Sequence, residues 1–248
     1  MNSTLNILQA NLRKMSGAQD ALYNDQELWG FDLILMQEPH YLDFGNNIYV
    51  TGTGPNFEAI KPKITQQGNQ ERRIRSCIWV NRNIEYVQHT TISSDITAIT
   101  VQRADRSILV ASAYIPCVTS NREEGRQQLA DRMQDIQRII EKEKTINPEL
   151  EILVAGDFNR HDSQWGGSHV VLEQRQGEGA EILDFLECNN LQVLTPRGMV
   201  TWERNEHRST IDLIMASERL FEDRIKCKTW DNEYGLDYRA VHTAFSME

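Results

Sequence analysis

The sequence predicts an α/β (α+β) chain: two packed sheets, mixed and mostly antiparallel, flanked by helices. Three observations carry this. Short β-rich runs recur along all 248 residues and outnumber the helical ones. Four consecutive runs, "CIWV", "IEYVQHT", "DITAITVQ" and "SILVASAYIP", are separated by polar breaks such as "RADR", which is the spacing of antiparallel strands. Strand and helix alternate throughout, which fits two sheets with helices outside them better than a single parallel sheet.

In order, "LNILQA" reads as a first strand, and "SGAQDALYNDQELWG" as a helix with Ala18, Ala21, Leu22, Asp25 and Leu28 at helical spacing. "FDLILMQE" is a buried strand, followed by the polar stretch "KPKITQQGNQERRIRS" and the four β-rich runs. "NREEGRQQLADRMQDIQRIIEKEK" places Leu129, Met133, Ile136 and Ile140 on one face and ends at Asn147-Pro148, a surface helix with a solvated charged face. "EILVAGDFN" is a strand and "AEILDFLECNN" a helix; "LQVLT", "MVTWER", "TIDLIMA", "IKCKTW" and "YRAVHTAF" are the remaining strands. No Pro/Gly/Ser-rich linker divides these elements, so residues 1–248 are expected to form one domain.

The totals, 40% hydrophobic and 25% charged residues, are those of an ordinary globular chain able to bury a core. A net charge of −10 argues against gripping nucleic acid by phosphate neutralisation alone, which needs clustered Lys and Arg. It leaves room for a metal-dependent site that needs carboxylates. Cys77, Cys117, Cys188 and Cys227 form no CxxC pair and read as reduced thiols, which favours cytoplasm or nucleus. No secretion signal or bilayer-length apolar run is visible.

One pattern repeats: an apolar strand runs into polar residues at its end. Asn11 follows "ILQA", Glu38 follows "LILMQ", Tyr114 ends "ASAY", Asp157 and Asn159 sit in "VAGDFN", Asp212 lies inside "STIDLIM", and Asp237 precedes the last strand. Polar groups at one rim of a sheet can converge on a cleft. Singly, each has a plain explanation, since Asp and Asn near strand ends serve turns. Asp212 is harder to explain away, because Ile211, Leu213 and Ile214 surround it.

Jointly, "QANLRK", "LMQEPH", "SAYIPC", "VAGDFNRHDSQWGG", "TWERNEHRSTIDLIM" and "GLDYRAV" resemble the endonuclease/exonuclease/phosphatase (DNase I-like) superfamily. Within it they are similar to the apurinic-type endonuclease domains of non-LTR (LINE-type) retrotransposons. The resemblance spans essentially the whole chain and implies a four-layer sandwich. It also implies phosphodiester cleavage with a divalent cation, Mg²⁺, with Mn²⁺ able to serve in its place. By the resemblance Glu38 is the principal metal ligand, with Asn11 in its shell and Asp237 a second carboxylate. Asp157 orients or deprotonates the attacking water, Asn159 donates to a phosphate oxygen, and Tyr114 lies near the same phosphate. Asp212 matches the acid that holds a catalytic histidine.

That histidine belongs after the last aspartate, in a Ser-Asp-His motif, and here the chain reads Leu236-Asp237-Tyr238. A phenol with an ordinary pKa of about 10 cannot act as a cation near neutral pH, though it can donate one hydrogen bond. Tyr238 therefore stands in the catalytic set with reduced activity expected. His242 cannot replace the histidine from an extended strand, since four residues at about 3.3 Å each place it about 13 Å away.

Arg160, His161, Thr201 and Ser209 flank the expected cleft as substrate contacts. Arg72, Arg73 and Arg75 form the densest basic run and could touch a DNA backbone; Trp165 and Trp202 could lie against DNA or be buried. The expected function is a Mg²⁺-dependent endonuclease that nicks DNA for target-primed retrotransposition, normally fused to a reverse transcriptase and acting as a monomer without a membrane. The alternatives are a pseudonuclease that binds nucleic acid or protein, and a phosphatase of the same fold.

Overall fold

The computed structural model describes residues 4–45, 47–51, 54–65, 73–117, 121–167 and 178–248. Two six-stranded sheets pack face to face. The first runs, in spatial order, Arg224–Thr229, Val241–Ser246, Thr4–Asn11, Leu33–Gln37, Ser76–Asn81, Phe57–Ile60. The second runs Leu191–Val193, Asp212–Ser217, Glu151–Asp157, Arg106–Tyr114, Ile96–Arg103, Tyr86–Gln88. Each has one parallel pair at its centre, Thr4–Asn11 with Leu33–Gln37 and Arg106–Tyr114 with Glu151–Asp157, and every other neighbour pairing is antiparallel. The expected mixed, mostly antiparallel sandwich is what forms. Of the four β-rich runs after the polar stretch, the first joins one sheet and the other three join the other.

Three apolar layers hold it together. Between the sheets lie Leu5, Ile7, Leu33, Leu35, Ile78, Val110, Leu153 and Ile214. The helices Arg122–Ile146 and Ala180–Asn189 cover the second sheet, and Leu129, Met133, Ile136 and Ile140 are all buried there, as their spacing predicts. The helix Ser16–Asn24 and the single turn Gln26–Gly30 cover the first sheet through Ala18, Leu22 and Leu28. The continuous helix expected over 16–30 breaks at Asp25, whose side chain accepts from the Glu27 N–H and from Asn232 and Tyr234. A contact from the far end of the chain thus interrupts a locally helical sequence.

The central parallel pairs fix where the polar residues go. Parallel strands end at the same rim, so Asn11 opposite Gln37 and Tyr114 opposite Asp157 come out together. Asp212 begins its antiparallel strand directly opposite Asp157. Side chains alternate along a strand, so one face reads Leu5, Ile7, Gln9, Asn11 in the first sheet and Leu153, Ala155, Asp157 in the second. The space between the sheets is apolar at one end and polar at the other.

Candidate active site

The polar end is a continuous buried network. Gln9 Nε2 donates to Gln37 Oε1 at 2.6 Å and to Asp212 Oδ1 at 2.8 Å. Gln37 Nε2 donates to Ser112 Oγ at 2.9 Å, and Ser76 Oγ to the Ser112 carbonyl at 2.8 Å. All five residues are buried. Buried polar groups of this kind must be paired, and pairing across the two sheets fixes them relative to one another. Gln9 and Gln37 were not singled out by the sequence. The signal was available, as two amides at the face positions where apolar alternation stops.

Above this layer Asp157, fully buried, accepts from Asn11 Nδ2 at 2.7 Å, from the Asn159 N–H at 3.0 Å and from the Tyr238 phenol. An ionised carboxylate offers about four acceptor positions, so about one is left for a water. Burial first, with the nearby Glu38 charge adding to it, pushes Asp157 up to about 7 against the three hydrogen bonds that oppose the rise. Gly156 precedes it for a steric reason: a Cβ there would fall 1.8 Å from the Ala113 carbonyl oxygen of the parallel strand. "GDF" is the point where two backbones come closest.

Asp212 is buried as well, and burial followed by the Asp157 charge raises it well above the usual carboxylate range. The Thr201 hydroxyl and Gln9 oppose that rise, yet Oδ2 makes no hydrogen bond of good geometry. Tyr238 was expected beside Asp212, in the histidine's place. Its phenol instead donates to Asp157, and burial with the two aspartate charges raises its own ionisation far out of reach. Tyr238 is held by a bridge to Trp202, and Leu236 packs against the apolar layer outside the first sheet.

Glu38 sits one residue past its strand with φ 47°, its N–H on the Arg75 carbonyl at 2.9 Å. Its side chain is mostly buried, with Lys14 Nζ 3.4 Å away; Asp237 pairs with Arg13 at 2.5 Å. Asn11 Oδ1 accepts from the Arg13 N–H. Tyr114 is close enough to Glu38 and Asp157 that burial and their charges raise its phenol. Asn159, with φ 47°, places one amide hydrogen on the Ile115 carbonyl, leaving the other. Glu38, Asn11, Tyr114, Asp157, Asn159, Asp212, Asp237 and Tyr238 therefore stand together at one rim.

The expected substrate contacts fare differently. Arg160 is 1% exposed, and its guanidinium donates to the carbonyls of Pro116, Asn159 and Gly125. It ties two loops to the first turn of the helix Arg122–Ile146 from inside and offers nothing to a phosphate. Thr201 is fully buried, and its hydroxyl accepts from the Ile211 and Asp212 N–H groups, so it anchors Asp212 rather than a ligand. The Ser209 hydroxyl is enclosed without a partner. His161 is at the rim, its N–H on Glu178. Trp165 is buried, Arg72 lies outside the described residues, and Arg75 turns inward to Asp95. His242 packs against Phe31 and Trp230 within its strand, away from the site, and burial pushes it down to about 4.

As a metal site this donor set is all oxygen, with Glu38 and Asn11 from adjacent strands. Among the described residues no cluster of three or more His, Cys, Asp or Glu is arranged around one point. A hard cation that keeps several waters and takes one or two carboxylates fits such a set. Lys14, an exposed side chain, now stands beside Glu38 and would have to swing aside.

A family profile described as endonuclease-reverse transcriptase matches residues 108–242, more than half of the chain. The chain belongs to that family. Among solved structures it is similar to the endonuclease domain of TRAS1, a telomere-specific non-LTR retrotransposon, at 17% identity and a TM-score of 0.71, covering 97% of this chain and 98% of that one. An AP endonuclease from Leishmania major aligns at 10% identity and TM-score 0.73, covering 98% and 88%. Another from Archaeoglobus fulgidus aligns at 13% and 0.65, covering 97% and 99%. These likenesses establish the DNase I-like fold. No curated protein matches the chain by sequence. The fold and family support a hydrolytic nuclease in general terms, and no helix among the described residues is long and apolar enough to cross a membrane.

Proposed function

We propose that the chain is a divalent-metal-dependent DNA endonuclease that nicks one strand to prime reverse transcription, with a rate limited by Tyr238. The observation that carries this is the convergence at one rim of Asp157, Asp212, Glu38 and Tyr114 from both sheets, residues that are far apart in sequence. A water held by the remaining acceptor position of Asp157 loses its proton to that carboxylate as it attacks phosphorus. The P–O3′ bond breaks, leaving a 5′-phosphate, and the 3′-oxygen takes a proton from solvent to become the hydroxyl a polymerase extends. Asn159 and Tyr114 orient the phosphate, and Glu38, Asn11 and Asp237 are the groups that would hold Mg²⁺ or Mn²⁺. A bound cation supplies charge stabilisation to the phosphate and the leaving oxygen. In this reading the domain works as a single copy, next to a reverse transcriptase, in nucleus or cytoplasm.

A second reading is favoured by one feature. Asp212 Oδ2 is buried without a hydrogen bond of good geometry, as it would be in a site that has lost its imidazole and its turnover. The test is nicking of supercoiled plasmid with Mg²⁺ or Mn²⁺. Slow nicking that stops with EDTA and with Glu38→Ala is expected. Activity untouched by both would rule out the metal role, and an inert chain would favour a binding module.

A further inference from the structure

Outside the expected site, one ion cluster reaches into it. Asp95, fully buried, receives Arg75 Nε at 2.6 Å and Nη2 at 2.9 Å. Arg132, from the helix Arg122–Ile146, adds two bonds to Asp95 Oδ2 at 3.0 and 2.8 Å. A bidentate fork fixes the plane as well as the position of a guanidinium. From that mount the Arg75 guanidinium lies 5.3 Å from the centroid of the Tyr114 ring. The same two residues hold the site's backbone: the Arg75 carbonyl accepts from the Glu38 N–H, and the Asp95 carbonyl accepts from the Tyr114 N–H, both at 2.9 Å.

Glu38 occupies left-handed backbone, a conformation that persists in a non-glycine residue only when its surroundings impose it. The hydrogen bond to the Arg75 carbonyl is one such constraint. The Tyr114 ring has a cation on its face and two carboxylates nearby, so its orientation is set by charge as well as by packing.

We propose that Arg75, fixed by Asp95, is a positioning residue that sets Tyr114 and Glu38 in their working geometry and does not itself bind DNA. This rests on the nuclease reading above for its consequence, though not for its geometry. A displacement of about 1 Å in a catalytic group can lower a rate by about 10²-fold.

The experiment pairs Arg75→Gln with Tyr114→Phe. Arg75→Gln leaves Arg132 on Asp95, so the buried carboxylate keeps a cation and the fold is expected to survive; Arg132→Gln, which removes the other cation, serves as the stability control. Nicking is measured for kcat and KM. Fluorotyrosine-labelled protein, with the Tyr114 resonance assigned by its loss in Tyr114→Phe, reports the ring whether or not the chain nicks.

Expected are a shifted Tyr114 resonance and a kcat at least about tenfold lower with KM for DNA unchanged in Arg75→Gln. The double variant should be no slower than the slower single one, and Arg132→Gln should match the stability loss without the kcat loss. An unmoved resonance overturns the proposal. So does a raised KM with kcat intact, which would put Arg75 on DNA, or multiplied losses in the double variant. A wild-type chain that never nicks, with a shifted resonance in Arg75→Gln, would sink the nuclease reading while leaving the mount in place.

Discussion

Replacing Tyr238 with histidine tests the proposed site most directly, because the structure leaves a vacancy in the hydrogen bonding that imidazole can fill. Asp212 Oδ2 is buried with no hydrogen bond of good geometry, and a buried polar group left wholly unpaired costs about 1–3 kcal/mol, an upper bound here because the Thr201 hydroxyl is near. Its neighbour Asp157 holds the Tyr238 phenol, which burial and the two aspartate charges keep neutral at any working pH. An imidazole at position 238 can donate one N–H to Asp212 Oδ2 and turn the other toward the phosphate. As imidazolium it brings positive charge to a site whose fully buried ionisable groups are both acids. A positioned acid–base group is worth about 10²–10⁴ in rate, and the imperfect fit of a single revertant leaves at least about tenfold. The assay is the initial rate of supercoiled plasmid nicking at saturating Mg²⁺, with thermal unfolding to confirm that both chains are folded. An unchanged rate in Tyr238→His, alongside complete loss in Asp157→Ala, would mean that this site works without imidazole and that Tyr238 does not limit it.

Gly156→Ala should destabilise by several kcal/mol, since its Cβ would overlap the Ala113 carbonyl and the strands would have to separate; a melting temperature within about 2 °C of wild type would contradict the packing. Arg160→Met should lower stability by about 3 kcal/mol or more, because the loop carbonyls of Pro116 and Asn159 and the helix carbonyl of Gly125 lose a donor, while leaving the salt dependence of DNA binding unchanged; a salt slope smaller by about one would place Arg160 on a phosphate after all. DNA binding itself should be weak and fall steeply with salt, and tight binding in high salt would contradict the acidic balance. In EDTA, stability should depend on pH through the aspartate pair. The folded value of Asp157 is raised, so its contribution is fully present below about pH 4 and is lost as pH rises through about 7, at about 1.4 kcal/mol per unit. Asp212→Asn should flatten this loss between about pH 4 and 7, and identical pH profiles for the two chains would show that the carboxylates do not interact.

The strands and their polar ends were legible because one physical rule, alternation, governs both: where Leu5 and Ile7 give way to Gln9 and Asn11, the sheet passes from core to cleft. The long helix was legible for the same reason at period 3.6. Which way a given polar side chain points at that rim was not. Arg160 follows Asn159 and reads as a cleft cation, yet it is satisfied by carbonyls from segments about 35 and 44 residues earlier, a tertiary fact with no local signature. Thr201 is similar, since it serves Asp212 through backbone N–H groups of a strand that begins eleven residues later. The hairpin Tyr41–Asp43 with Ile48–Val50 and the strand Phe57–Ile60 escaped notice because these short runs are set among the glycine- and asparagine-rich stretches "FGNN" and "TGTGPN", which read as loop.

The residue at 238 does more than complete or break a motif. Asp157 and Asp212 face each other across an antiparallel register, and like charges that close cannot both ionise without a compensating cation. A phenol gives Asp157 a hydrogen bond but no charge, so nothing offsets the burial that raises both carboxylates, or the Glu38 charge that adds to it at Asp157 and the Asp157 charge that adds to it at Asp212. Histidine would supply the missing charge, letting Asp212 ionise against imidazolium and freeing Asp157 to act as a base at lower pH. Tyr238→His should therefore act through Asp212. In Asp212→Asn, where the second carboxylate is already neutral, the same substitution should gain little, and a full gain there would mean that the imidazole works directly on the phosphate without the aspartate behind it.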